Sequence, residues 1–220
     1  MRVANLLRAL RANRSGVAAT EAALILPFFL GAGLWAVELA NYSLTTMRVG
    51  QLAIHIADNA SRIGDNSTLE NRKIYEQDLN DLLLGASLQA GAKMDLYERG
   101  RVIISSLEVN PADQQYIHWQ RCMGKKNVTS SYGNSGDIKA AGMGPTGRTV
   151  YAPTGEAVIF VELQYDYQPL ISDTFVGSPT INSIASFTVR DSRDLSQIYQ
   201  VNTAKPDAVY TCNTFANAFA

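Results

Sequence analysis

The stretch SGVAATEAALILPFFLGAGLWAV, residues 15–37, constrains this chain more than any other feature: it is apolar throughout except for one carboxylate, Glu21. As a helix, residues 17–37 would be about 31 Å long at 1.5 Å per residue, which matches the hydrocarbon core of a bilayer. The rival is a removable secretory signal, whose apolar region normally runs about 7 to 15 residues and ends in a small-x-small site. Here the run is longer, and the best exit, Glu38-Leu39-Ala40, would put a carboxylate three residues before the cut. A retained anchor over residues 17–38 is the favoured expectation. Arg2, Arg8, Arg11 and Arg14 precede the run, and no Asp or Glu comes before Glu21. The positive-inside bias therefore puts this end in the cytoplasm and everything after Val37 on the far side of the membrane.

That orientation governs the cysteines. Cys122 and Cys212 would both lie in an oxidising space, where a disulfide is permitted, with two unpaired thiols as the alternative. No pair is spaced as CxxC, which argues against redox catalysis and zinc. Charged residues make up 18% of the 220 positions and the formal net charge is -1, so no global electrostatic case exists for nucleic acid.

The helical pattern continues beyond Glu38. Tyr42, Val49, Ile56 and Ile63 recur at every seventh position, with Leu39, Leu52 and Ala53 in the same stripe and polar residues over much of the rest. One helix over residues 17–63 is expected, with an amphipathic extension (39–64) that stops at Gly64. Ser67-Thr68-Leu69-Glu70 fits a capping box and opens a second helix, 67–90, with Ile74, Leu79, Leu82, Leu83 and Ala86 as its apolar face. Gly31, Gly33 and Pro27 mark points where the first half could kink.

Then the period becomes two. Residues 101–109, 116–122, 156–168 and 180–190 read as four strands of an antiparallel sheet (101–190) with one polar face, carrying Glu162, Gln164 and Asp166. The amphipathic half of the long helix is the expected cover for the other face. Residues 123–155 form a long connection rich in Gly, Ser, Asn and Thr, of the kind that is functional or disordered. The tail, 191–220, is polar, and Cys212 would tether it. The fold class is thus α+β: a long N-terminal helix packed on a sheet of about four strands, with a second helix.

Few residues point to chemistry. Gly142, Gly144 and Gly147 satisfy G-x-G-x-x-G, but no apolar strand precedes them and Pro145 lies inside, so a flexible surface loop is expected. His55, near Asp58 and Asn59, reads as surface or interface packing, and His118, between Ile117 and Trp119, as structural. No catalytic constellation, metal site or cofactor site is expected. Glu21 differs, because a carboxylate in a spanning segment is costly and functional by default. One reading places it at the cytoplasmic interface, eased by the helix N-terminus and Arg14. The other uses Gly16: a cut after it would make Val17 a free ammonium four residues from Glu21, and the two could pair in low dielectric.

This arrangement resembles the prepilin class of type IV pilins, and more specifically the TadE-like pseudopilins of the tight-adherence (Tad, Flp) pilus. The resemblance covers SGVAATEAALILP after an Arg-rich head, then WQRCMG at 119–124, VELQYDYQPL at 161–170 and ASFTVRDSRDL at 185–195. It implies a pilin-like fold and a basic leader, 1–16, cut by a prepilin peptidase between Gly16 and Val17. Glu21 would then serve processing or subunit registration. Ala22 follows Glu21 where pilins of this system usually carry an aromatic. The implied partners are membrane lipid, the peptidase, other pilins and the inner-membrane machinery, and the implied role is structural. A signal-anchored periplasmic enzyme or a binding module unrelated to pili is the alternative. The enzyme would need a cluster that the two histidines do not supply.

Overall fold

A computed structural model describes residues 15–65, 71–190 and 192–215, together with positions 4, 8, 9, 11 and 12 of the N-terminal stretch. The fold is α+β. Helix α1 spans Ser15–Ala60, α2 Glu76–Ala90 and α3 Leu96–Arg99; strands β1 (Gly100–Val109), β2 (Gln115–Met123) and β3 (Val158–Asp166) follow, then α4 (Asp173–Val176) and β4 (Thr180–Thr188). The chain forms two compact units, Met1–Ser43 with Gln168–Ser178, and Leu44–Tyr167 with Pro179–Ala220.

In the first unit, α1 carries Pro27 within its length without ending there. It is long and apolar enough to cross a membrane, and only 6% of its most apolar 18-residue window is buried. The core helix of a soluble domain would be mostly buried, and this one is not. Leu39, placed by the heptad pattern on the inward stripe, is 40% exposed and belongs to this unit.

The second unit holds the sheet, in the order β2-β1-β3-β4 with every pairing antiparallel. Val102, Ile104, Ile159, Val161, Leu163, Tyr165 and Ile181 share one face, all of them buried. The later part of α1 presents Val49, Leu52, Ala53, Ile56, Ala57 and Ala60, also buried, and Gly50 lies against Ser183 of β4, so this face is the one the helix covers. Alternation along β3 put the same apolar residues on one side, as its period-two pattern requires.

The expected start of the second helix lies outside the described residues, which resume at 71. Residues 71–75 are not helical. They run parallel to the tail, with Arg72 N–H bonded to Ser192 O (3.0 Å), Asp194 N–H to Arg72 O (2.9 Å) and Tyr199 N–H to Ile74 O (2.8 Å). Helix α2 begins only at Glu76, where Asp78 Oδ2 accepts the Tyr75 N–H at 3.0 Å. A partner strand from more than 100 residues away takes the backbone bonds that helix would have used, which a local capping signal cannot foresee.

The opposite face of the sheet is not the solvated polar face expected. Residues 124–157 fold over it as a strap, and Leu107, Ile117, Val158 and Phe160 pack with Met143 and Ala152 into a second core, with Tyr132 and Val150 at its margin. Gln115 holds the strap by both amide atoms, donating to Ala152 O and accepting from Ala152 N–H, each at 2.8 Å. The G-x-G-x-x-G loop is a tight hairpin closed by two backbone bonds between Met143 and Val150. Gly142 has φ +70°, and a Cβ there would lie 2.3 Å from Val150 O. Its glycines serve a turn that puts Met143 in the core, so the loop is neither a phosphate cradle nor a loose connection.

The outer edge of β2 is also covered. Ile117 N–H bonds Asp137 O, Lys139 N–H bonds Gln115 O, and Cys122 N–H bonds Tyr210 O. An unpaired strand edge is a template for association, and strap and tail remove this one.

Candidate functional site

The residues expected to flank a processing cut fall at the very start of α1. Gly16 and Val17 are helical and exposed, and Val17 O accepts the Thr20 hydroxyl at 2.8 Å. Glu21 is exposed one helical turn beyond Val17. In the intact chain Val17 presents a peptide N–H within the helix, so an ammonium–carboxylate pair could exist only after a cut. Of the arginines expected to set orientation, Arg8 and Arg11 are helical and exposed, whereas Arg2 and Arg14 lie outside the described residues.

At the other end of the apolar run the structure has a second carboxylate whose role the sequence did not disclose. Glu38 is fully buried. Its Oε1 accepts the Leu170 N–H at 3.0 Å, and Oε2 accepts the Leu170 and Ile171 N–H groups at 3.1 and 2.8 Å. These three hydrogen bonds satisfy a buried carboxylate at the exit of an apolar helix, which would otherwise carry an uncompensated desolvation cost. Ser172 then caps α4, accepting the Thr174 N–H at 3.2 Å. Read alone, Glu38 only ended the apolar stretch, because its partners lie 132 and 133 positions later.

Cys122 and Cys212 form a disulfide with Cα atoms 4.9 Å apart. Arg101, 1% exposed, clamps the same region: Nη1 donates to Gly124 O (2.8 Å) and Thr214 O (2.9 Å), Nη2 donates to Cys212 O (3.0 Å), and the guanidinium stacks 4.5 Å from the Phe215 ring centroid. Arg101 belongs to no motif, and only an arginine placed just before the apolar Val102, Ile103 and Ile104 hinted at it.

Several titratable groups of the second unit are paired or hydrogen-bonded. Glu108, 2% exposed, accepts the Ser106 hydroxyl at 2.6 Å and meets His118 Nδ1 at 2.8 Å. The serine is therefore bonded to the carboxylate and not to the imidazole, which is not the hydroxyl–base contact that activates a nucleophile. The hydrogen bond to Glu108 raises the His118 pKa above its ordinary value, against the opposing effect of burial. Burial raises the Glu162 pKa, although the Ser130 hydroxyl and the Ser131 N–H both bond its carboxylate. His55 Nδ1 lies 2.5 Å from Gln89 Nε2, on the exposed side of α1 and α2. No group of three or more potential metal ligands occurs among the described residues.

Between the end of α1 and α2 lies a groove of about 540 Å³, with Ile56, Ile63, Leu82 and Ala86 along its floor and Arg62, Asp78 and Asp81 at its rim. No protein-family model matches the chain, and no curated protein or solved structure matches it.

Proposed function

We propose that this chain is a minor pilin or pseudopilin, a structural component that assists assembly of a tight-adherence type IV pilus. One observation carries the reading. A single helix, Ser15–Ala60, opens on Gly16-Val17 with Glu21 one turn later, leaves its apolar part exposed, and buries its last turns in a domain with a four-stranded antiparallel sheet. In this account α1 sits in the bacterial inner membrane with the N-terminus cytoplasmic and the head periplasmic, ready for the pilus or its base. A prepilin peptidase removes residues 1–16 on the cytoplasmic side. Glu21 then pairs with the new Val17 ammonium, within the chain or in a neighbour, where low dielectric makes pairing matter most. Ala18, Ala19, Ala22, Ala23, Gly31 and Gly33 let neighbouring helices approach closely. The work is packing, with no bond made beyond the cut.

Replacing Glu21 by Ala in the native cell tests this. The expected result is loss of maturation, of co-isolation with other pilins, or of surface pili; normal values for all three would remove the proposed role. A second reading, an anchored binding module unrelated to pili, is favoured by the groove between α1 and α2. In that case a soluble fragment starting at Leu44 would retain its binding partner while Glu21→Ala changed nothing.

A further inference from the structure

The segment Gln168–Ser178, QPLISDTFVGS, belongs to the same compact unit as the apolar part of α1. Its backbone is fastened by Leu170 and Ile171 to Glu38, the first charged residue after the apolar run. Val17 and Glu38 are 21 residues apart, about 32 Å along a helix, close to the thickness of the hydrocarbon core. With Val17 at one boundary of the membrane, Glu38 stands at the other, and the segment is held at that depth.

The two residues fastened to Glu38 show apolar side chains to the outside, between the exposed Gln168 and Asp173. Leu170 is 53% exposed and Ile171 39%, and the helix residues around Glu38 in sequence, Trp35 (50%), Val37 (50%) and Leu39 (40%), are exposed as well. The apolar skin of the helix thus continues onto the loop at the level where tryptophan side chains favour the membrane interface. Glu38 itself, a carboxylate that lipid would reject, is turned inward and satisfied by the loop's own amides, and the exposed Asp173 follows two residues beyond Ile171. Both features make sense together if the surrounding medium is the boundary layer of the bilayer.

We infer that Leu170 and Ile171 form a second membrane contact, inserting into the interfacial layer of the far leaflet beside the anchor, with lipid as the ligand. This rests on α1 spanning the bilayer, as in the reading above. Nitroxide labels at Leu170→Cys and, separately, Ile171→Cys test it in the full chain reconstituted in phosphatidylcholine–phosphatidylglycerol vesicles. Phe28→Cys and Lys205→Cys serve as references. Both side chains at the test positions face outward, so the substitutions leave the fold intact. Labels at 170 and 171 should collide with oxygen in preference to a water-soluble nickel relaxant, as at position 28, with the label at 205 showing the reverse preference. If position 28 is in lipid and position 170 behaves like 205, the inference fails and the anchor survives. If position 170 is shielded from both relaxants, protein covers the segment and the lipid contact is overturned. If position 28 itself is in water, the anchor and the inference fall together.

Discussion

Glu108 holds both a hydroxyl and an imidazole, and that sharing gives the head domain a pH signature. The His118 pKa is raised in the folded chain, so the stabilisation from the pair is fully present below the ordinary imidazole value of about 6.5 and is lost as pH rises through the folded value. His118→Gln should therefore lower the urea midpoint most at pH 5 to 6 and least at pH 8; equal loss at every pH would deny the ion pair. Glu162 also has a raised folded-state pKa, caused by burial, so its ionisation weakens the fold as pH climbs from the ordinary carboxylate range toward the raised value. Glu162→Gln should flatten that decline as pH rises above about 4.5. At Glu38, replacement by Ala leaves the Leu170 and Ile171 amides without their acceptor. Their hydrogen exchange should quicken roughly ten- to hundredfold, from about 1.5–3 kcal/mol per bond. Unchanged exchange would mean that the carboxylate does not hold the segment. None of these three roles could be seen in local sequence. Glu38 and Glu162 each depend on groups 31 to 133 positions distant, and His118 sits where β2 slips register against Ser106 and Leu107.

At the scale of elements, periodicity served best where one element meets one surface. The apolar side of β3 and the Val49, Leu52 and Ile56 stripe of α1 were legible because burial on one face enforces a strict repeat. It failed where a surface is covered by irregular chain. Glu162 and Gln164 made one side of β3 look solvated, yet the strap closes over it with Met143, which only the hairpin glycines bring inward. Met143→Ala should cost about 2–5 kcal/mol in equilibrium unfolding, as for other large core truncations. A loss within experimental error would mean that the strap is an independent loop. The second helix was placed too early for a related reason: the tail takes residues 72–76 into backbone pairing, and tertiary pairing outweighs local preference.

Across the whole molecule the chain is closed by its tail. The disulfide joins residues 90 apart, and a loop of that length makes it worth about 2–4 kcal/mol in the chain-entropy account. The pairing was permitted by sequence once the membrane orientation was assumed; the Arg101 clamp beside it was not visible there. The long helix was legible in its existence and apolar first half, because length and apolarity are properties of the sequence itself, while its C-terminal end came three residues earlier than the stripe ending at Ile63 implied. In the proposed reading, what the helix does rests on a cut after Gly16. The most direct test of that central claim is the intact mass and N-terminal sequence of the protein isolated from its native membrane. A mature chain beginning at Val17 is the predicted result. A chain beginning at Met1 would contradict processing and leave a plain signal anchor, and one beginning near Asn41 would contradict the anchor as well.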